Sequence, residues 1–210
     1  MPVRLVLADD HVIVRQALSL FLAGAGFEVV GEASDGHEAV RLARAQEPDV
    51  AVLDFVMPFL NGLDAAREIQ KSCPRTKAIL LTSRHDEQLI LEALQAGMRG
   101  CVLKTYQARD LVRAIRDVAA GGVYLSPPVS RSVVEAYRSG TVPPAEPLTA
   151  RERQVLQLIA EGKGTREVAE ILDVGVKTAE AHRTNIMKKL GITRIAGLVR
   201  YALKRGFIEL

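Results

Sequence analysis

Cysteine and aromatic residues are scarce in this sequence. Its 210 residues include 2 cysteines, 4 tyrosines, 5 phenylalanines and no tryptophan. Two isolated cysteines are too few for a disulfide framework or a cysteine-rich metal site. No stretch approaches about 18 consecutive apolar residues, and no basic segment with an apolar core and cleavage site opens the chain. We therefore expect a protein of the cytoplasm that has no membrane partner.

Charge is divided unevenly along a chain of otherwise ordinary globular composition. Hydrophobic residues make up 48% and charged residues 25%, and a length of 210 residues suggests two domains. Residues 1–122 carry 14 Lys+Arg against 16 Asp+Glu, a net charge of −2. Residues 148–210 carry 12 against 7, a net charge of +5. The second segment is therefore the one expected to contact nucleic acid.

Short apolar segments alternate with amphipathic helical patterns in the first 120 residues. Strands are predicted at Arg4–Ala8, Glu28–Ala33, Asp49–Leu53, Lys77–Thr82 and Cys101–Leu103. Such alternation is typical of a parallel sheet with helices on both faces. We therefore expect residues 1–122 to form a five-stranded, doubly wound α/β domain.

Carboxylates follow two of these predicted strands. Asp54 ends the segment VAVLD, and Asp9 and Asp10 follow the segment RLVLA. The carboxyl ends of parallel strands form the edge at which open α/β sheets bind ligands. If the two strands are neighbours, three carboxylates converge there and repel one another unless a cation lies between them, and oxygen ligands favour Mg²⁺. The alternative for Asp9 and Asp10 alone is a helix N-cap beside a strand end.

A proline-rich segment separates the two predicted domains. Residues 140–147, GTVPPAEP, contain three prolines, which prevent regular hydrogen bonding. We assign residues 123–147 to a linker with one short helix near residues 129–138, and residues 148–210 to the second domain.

The second domain has the pattern of four helices. Thr149 and Glu152 form a capping-box signature before the first helix, and Gly162 ends that helix. A short helix is predicted over Arg166–Leu172, and a longer basic one follows over about Val176–Leu190. Two helices joined by a tight turn, the second of them basic, are typical of a helix-turn-helix.

The longer helix has an inward and an outward side. Ala179, Ile186 and Leu190 lie at helical spacing on the inward side. A solvated surface would be the ordinary interpretation of the outward side, but its place in a helix-turn-helix favours DNA contact. The residues expected to contact DNA are Lys177, Thr178, Glu180, Ala181, Arg183, Thr184 and Lys188.

Both halves of the chain resemble known families. Asp9 and Asp10, Asp54 in LDFVMPFLNG, Thr82 closing AILLTS and Lys104 closing GCVLK resemble the flavodoxin-like receiver domain of bacterial two-component response regulators. The segment LTARERQVLQLIAEGKGTREVAEILDVGVKTAEAHRTNIMKKLGI resembles the LuxR-type helix-turn-helix. The whole chain therefore resembles a NarL/FixJ-type response regulator.

This resemblance implies a phosphorylation-switched transcription factor rather than an enzyme. A sensor histidine kinase would phosphorylate Asp54, and the phosphorylated protein is expected to be a homodimer that binds double-stranded promoter DNA. Either receiver dimerisation or release of the second domain from the receiver would raise DNA binding, and the sequence does not choose between them. Mg²⁺ would be held by Asp10 directly, by Asp9 through water, by Asp54 and by the carbonyl of Val56. Thr82 and Lys104 would bond the phosphoryl group.

Three departures from the family pattern affect these expectations. Glycine stands at positions 164 and 175, where serine commonly precedes a helix. Glu180 occupies a position that is often lysine, so we expect altered base preference. Cys101 replaces the usual aromatic switch residue, so we expect a weak or different link between Thr82 and the dimerising face.

Two other functions remain as alternatives. One is a DNA-binding regulator that acts without phosphorylation and uses its receiver domain as a dimerisation scaffold. The other is a phosphohydrolase of the haloacid dehalogenase type, which needs a second acid two residues after its aspartate nucleophile. That position is Val56 here, which disfavours the enzyme. His11, beside the acidic pair, is interpreted as a helix-start residue.

Overall fold

The computed structural model of the protein describes residues 1–84, 87–105, 107–139 and 147–208. Two compact units form, one from Met1–Met57 and Asn61–Pro143, the other from Pro144–Leu210 together with Pro58–Leu60. Residues 140–146 of the expected linker lie outside the described ranges. None of the helices within those ranges has the length and apolar character that a membrane crossing requires.

A parallel sheet with helices on both faces forms the first unit. From one edge to the other its strands are β2 (Glu28–Ala33), β1 (Arg4–Ala8), β3 (Val50–Asp54), β4 (Lys77–Thr82), β5 (Gly100–Leu103) and β6 (Tyr124–Leu125). The helices of this unit are α1 (Val12–Gly24), α2 (Gly36–Gln46), α3 (Gly62–Ser72), α4 (Glu87–Gln95), α5 (Ala108–Ala119) and α6 (Pro127–Ser139). The prediction of a doubly wound α/β fold is confirmed.

The prediction of five strands was wrong by one strand. β6 adds a sixth strand that pairs with β5, with Gly100 opposite Tyr124 and Cys101 opposite Leu125. The Ser126 N–H extends the pairing by donating to the Cys101 carbonyl at 3.0 Å. A strand of 2 residues is too short for the alternation of apolar and polar residues to be recognised in the sequence.

The central strands are buried on both faces because helices cover both sides of the sheet. All five residues of β3 are buried, which explains its continuous apolar composition. One face of the sheet packs against α5, whose buried residues recur every three or four positions, as in an amphipathic helix. These α5 residues are Leu111, Ala114, Ile115 and Val118. Burying each large side chain stabilises the fold by about 1.5–3 kcal/mol.

Within the described residues 147–208, the second unit has the four helices that the sequence predicted. They are α7 (Ala150–Ala160), α8 (Thr165–Ile171), α9 (Val176–Leu190) and α10 (Ile195–Arg205). The capping box of Thr149 and Glu152 at the start of α7 is present. Gly191 ends α9 with a φ of 64°, a left-handed conformation that glycine adopts without strain. The core includes Val155, Leu156, Ala179, Ile186, Leu198 and Ala202.

Candidate functional site

Acidic residues from two neighbouring strands meet at the carboxyl edge of the sheet. Asp54 is the last residue of β3, and Asp9 directly follows β1. β1 and β3 are adjacent and pair in parallel, with Ala8 opposite Leu53. Asp9 is fully buried and Asp54 is 5% exposed. The structure therefore brings these two carboxylates together, as the strand ends suggested.

Lys104 links the two carboxylates. Its ammonium lies 2.8 Å from Asp54 Oδ2 and 2.9 Å from Asp9 Oδ2. Burial alone would lower the pKa of Lys104, but the two carboxylates outweigh burial and raise it above its ordinary value. The lysine therefore stays protonated, and it partly compensates the negative charge of the site.

Asp54 has the properties of a reactive carboxylate. Burial raises its pKa to about 6, and the nearby Asp9 adds to this rise, whereas Lys104 and the Phe55 N–H oppose it. The Phe55 N–H donates to Asp54 Oδ1 at 2.8 Å. Asp54 is thus ionised at neutral pH but held in an environment that disfavours its charge. Such perturbed groups in a polar site are typical of functional residues.

A candidate cation site adjoins Asp54. Ligand atoms of Asp9, Asp10, Asp54 and His11 all lie within 4.8 Å of one another. Asp10 Oδ1 is buried and accepts no hydrogen bond from the residues that the structure describes, and the His11 imidazole 2.8 Å away compensates its charge only when that ring is protonated. The three carboxylates therefore fit Mg²⁺, which prefers oxygen ligands. Val56, whose carbonyl the resemblance adds to this set, is half-buried in the loop after β3.

His11 is the member of this cluster whose contribution the sequence interpretation missed. It does begin a helix, since it is the N-cap residue of α1. Its imidazole also lies 2.8 Å from Asp10. Its direct adjacency to the acidic pair was the only signal in the sequence.

Thr82 occupies the end of the next strand of the sheet. It is the last residue of β4, which pairs with β3 so that Leu81 stands opposite Asp54. Its side chain is buried, and its hydroxyl accepts a hydrogen bond from the Arg84 N–H at 3.1 Å. The Thr82 hydroxyl therefore belongs to the same edge of the sheet as Asp54.

The loop between β3 and α3 packs closely against the end of β3, where Asp54 lies. Asn61 caps α3 by accepting the Asp64 N–H at 2.9 Å. The Gly62 N–H donates to the Phe55 carbonyl at 2.9 Å. A Cβ at Gly62 would stand 2.0 Å from the Asp54 carbonyl oxygen, closer than any real contact. Only glycine fits this position beside Asp54.

Cys101 is enclosed by the additional strand. It is 1% exposed and stands opposite Leu125 of β6. Burial raises the pKa of its thiol to about 12, so the thiol stays protonated and unreactive. At the position of the usual aromatic switch residue, this chain therefore places a small, buried side chain.

The outward side of α9 is available for contact. Ala179 and Ile186 are buried, which confirms the orientation expected for the inward side. Arg183 is half-buried, and the Thr184 hydroxyl donates to the Glu180 carbonyl at 3.0 Å. The exposed residues among those expected to contact DNA are Lys177, Thr178, Glu180, Ala181, Thr184 and Lys188.

An ion pair fixes α9 against the first helix of its unit. The Lys189 ammonium lies 2.7 Å from Glu152 Oε2. Burial opposes ionisation of Glu152, but hydrogen bonds from Lys189 and Thr149 outweigh it and lower the pKa of this carboxyl. Glu152, which completes the capping box of α7, thereby also orients α9. From the sequence, Glu152 was expected to have only the capping role.

Two family models match the chain. The model described as "Response regulator receiver domain" matches residues 5–116, and the model described as "Bacterial regulatory proteins, luxR family" matches residues 146–202. The first covers β1 from Leu5 onward, the strands β2 to β5 and all of the acidic site, and it ends before β6. The second spans α7, α8, α9 and most of α10.

Several known proteins are similar to this chain over nearly their whole length. "Oxygen regulatory protein NreC" of Staphylococcus carnosus is 38% identical over 98% of this chain and 99% of that protein. NreC of Staphylococcus aureus is 40% identical over 98% of this chain and 99% of that protein. RcsB of Salmonella enterica serovar Typhimurium, solved bound to a promoter with the phosphomimetic BeF₃⁻, is 26% identical. That likeness covers 96% of this chain and 98% of RcsB, with a TM-score of 0.64.

Proposed function

Because this chain belongs to the NarL/FixJ-type response regulators, transcription factors that join a receiver domain to a LuxR-type helix-turn-helix, we propose that phosphorylation of Asp54 controls its binding to promoter DNA. The observation that carries the proposal is the buried Asp54 carboxylate held 2.8 Å from Lys104 at the edge of the sheet. In this proposal residues 1–122 are the receiver domain, residues 123–147 connect the domains, and residues 148–210 bind DNA.

Asp54 is the nucleophile of the phosphoryl transfer. Its carboxylate attacks the phosphorus of a phosphohistidine on a sensor histidine kinase. An O–P bond forms while the P–N bond breaks, and the electron pair of the broken bond goes to the imidazole of the kinase. Lys104 orients the carboxylate and offsets the charge of the incoming phosphoryl oxygens. With a pKa of about 6, Asp54 is ionised and ready to attack at neutral pH.

The acidic residues beside Asp54 would hold the cofactor Mg²⁺. As the resemblance implies, Asp10 would bind it directly and Asp9 through water, and Asp54 and the Val56 carbonyl would complete the protein ligands. The support is the chemistry of the donor set and the buried Asp10 Oδ1, which accepts no hydrogen bond within the described part of the chain. When bound, the ion neutralises charge on the phosphoryl oxygens.

Thr82 and Lys104 respond to the phosphorylated state. A phosphoryl group adds a charge of about −1.5 to −2 and three acceptor oxygens. The Lys104 ammonium donates to one of these oxygens, and the Thr82 hydroxyl, which accepts from the Arg84 N–H, donates its own hydrogen to another. Because Ser83 and Arg84 directly follow β4, a shift of Thr82 toward the phosphoryl group moves these two residues as well.

DNA is bound by α9, and phosphorylation strengthens binding through a second copy of the chain. The residues of α9 that contact DNA are Lys177, Thr178, Glu180, Ala181, Arg183, Thr184 and Lys188. Lys177 and Lys188 contact phosphates, and Glu180 accepts a hydrogen bond from a base, for which cytosine N4 is the suitable donor. The similar RcsB has been solved as dimers bound to DNA, which supports paired half-sites.

Intact-mass analysis after incubation with a small acyl phosphate and Mg²⁺ tests the phosphoacceptor role. We expect one phosphoryl group on the wild type and none on Asp54→Asn. Omission of Mg²⁺ should abolish the modification, which separates metal-assisted transfer from non-specific acylation. A wild type that stays unmodified and still binds DNA would instead favour the scaffold function of the receiver domain.

A further inference from the structure

A cavity opens at the amino edge of the sheet, opposite the edge that carries Asp54. Its volume is about 320 Å³, which falls within the range of about 300–1,000 Å³ that is usual for small-molecule sites. The start of β4, the segment between α4 and β5, part of α3 and Gly121 just after α5 line it. The residues that line this cavity are therefore separate from those of the acidic site.

Small residues leave the space and give the cavity an apolar wall. Ala66, Ala78 and Ala96 line it and are 2%, 7% and 6% exposed. Gly97 has a φ of 84°, and a Cβ at this residue would lie 2.3 Å from the amide atoms of Gln70. The glycine therefore lets the Gln70 amide pack against the main chain at the side of the cavity. The apolar wall suits the apolar body of a small ligand.

Polar side chains of the same lining have donors to spare. Within the described part of the chain, neither the Gln70 amide nor the Arg99 guanidinium forms a hydrogen bond or an ion pair. The Lys77 ammonium donates to the Ala119 carbonyl at 2.9 Å, which uses one of its three N–H groups. These three side chains can thus donate several hydrogen bonds to one ligand.

The charge of the lining has a single sign. Among the described residues, the lining includes the cations Lys77 and Arg99 and no carboxylate, although residues 1–122 carry a net charge of −2. Two positive charges beside one cavity repel each other unless an anion compensates them. Guanidinium and ammonium groups are the usual partners of carboxylates and phosphates. The lining therefore favours an anionic ligand.

We propose that this cavity binds a small organic anion, whose carboxylate or phosphate group bonds to Lys77 and Arg99 and whose short apolar body packs against the three alanines. Gln70 donates a further hydrogen bond to the anionic group. The inference goes beyond the proposed function, because it assigns a second ligand to the opposite edge of the sheet and uses neither Asp54 nor its neighbours.

NMR titrations of the full chain test this site, with the main-chain amide signals of Gly97 and Gly121 as the readout. The probes are butyrate and propyl phosphate, and butyramide is the neutral analogue of butyrate. Arg99→Gln removes a cation from an exposed side chain, and Gln70→Glu adds a carboxylate to the lining without a change of shape. The matched control is Arg109→Gln, which removes an exposed cation from the first turn of α5. The remaining signals of each spectrum show that the variant is folded.

We expect at least one of the two anions to shift both glycine signals to saturation, and butyramide to leave them unchanged. Arg99→Gln and Gln70→Glu should weaken binding by at least about fivefold, whereas Arg109→Gln should stay within about twofold of the wild type. Failure of both anions to shift these signals would overturn the proposal. Equal affinity in the wild type and Arg99→Gln would also overturn it, as would an equal loss in Arg109→Gln. Binding should persist in Asp54→Asn, so failure of the phosphorylation proposal would be seen separately.

Discussion

Gly62 approaches Asp54 so closely that a Cβ added to the glycine would lie 2.0 Å from the Asp54 carbonyl oxygen. The same Cβ would lie 2.9 Å from the Asp54 carbonyl carbon. Both contacts involve backbone atoms of the residue that carries the nucleophile, so neither is relieved by a side-chain rotation. The start of α3 and the end of β3 are therefore fitted to each other at the phosphoacceptor.

Gly62→Ala should impair both stability and phosphorylation. The added methyl group forces the loop or the end of β3 to move, which costs about 1–3 kcal/mol in the free energy of unfolding. Urea denaturation and the rate of Mg²⁺-dependent acyl-phosphate labelling are the measurements. The matched control is Gly24→Ala, because a Cβ at Gly24 meets nothing within 4 Å. Equal stability and labelling in the two variants would refute the close fit.

Asp54→Asn should stabilise the metal-free protein above pH 7. Burial, with a smaller contribution from Asp9, raises the Asp54 pKa from 3.8 to about 6, so the folded state binds the proton more tightly than the unfolded state. This stabilisation is complete below pH 3.8 and is lost as the pH rises through 6. The neutral amide should recover on the order of 1–3 kcal/mol at pH 8.

Urea denaturation in the presence of a chelator at pH 8 and pH 4.5 measures this effect. The advantage of Asp54→Asn should be largest at pH 8 and should shrink at pH 4.5, where the wild-type carboxyl is protonated in the folded state. Asp117→Asn is the control, since that carboxylate is 47% exposed and pairs with Arg113 at the surface. Equal stability of Asp54→Asn and wild type at pH 8 would contradict the assigned environment of Asp54.

The two cysteines should differ sharply in reactivity. Burial raises the pKa of the Cys101 thiol to about 12, and the side chain is 1% exposed, whereas Cys73 is half-buried. A thiol reagent at pH 8 should therefore modify one cysteine per folded chain and both cysteines in urea. Cys73→Ser should abolish the reaction of the folded protein. Modification of folded Cys73→Ser would show that β6 leaves Cys101 accessible.

Glu180→Lys should tighten non-specific DNA binding and change site preference. The carboxylate repels phosphates but accepts from a base edge, and lysine reverses both properties. One added phosphate contact makes the dependence of log affinity on log salt concentration steeper by about 0.9. Binding selections on random DNA, together with salt titrations, are the measurements. Glu28→Lys makes the same change of charge at an exposed position of β2 and therefore controls for net charge. Unchanged site selection by Glu180→Lys would refute the contact between Glu180 and a base.

The sequence predicted those parts of the site that depend on strand order. Parallel strands place their carboxyl ends at one edge, so Asp9, Asp10 and Asp54 were assigned to that edge from local patterns, whereas Thr82 came from the family resemblance. Lys104 was identified only through the family resemblance. Its contact with Asp9 joins residues separated by 95 positions, and such a contact follows from folding rather than from a local pattern.

Other features of the site depend on three-dimensional packing and were not predicted. The pKa of Asp54 is set by how completely neighbouring elements exclude water, which composition does not reveal. β6 is a strand only because the edge of β5 is free to pair with it. The proximity of His11 to the acidic pair was visible in the sequence, but the direction of its side chain was not.

DNA affinity measured before and after phosphorylation of the same sample tests the central claim most directly. Promoter fragments are titrated with the wild type and with Asp54→Asn, each with and without acyl phosphate and Mg²⁺, while intact mass records the phosphorylated fraction. We predict that DNA binding by the wild type strengthens in proportion to that fraction and that binding by Asp54→Asn does not change. A fully phosphorylated wild type with unchanged DNA affinity would contradict the claim that Asp54 controls DNA binding.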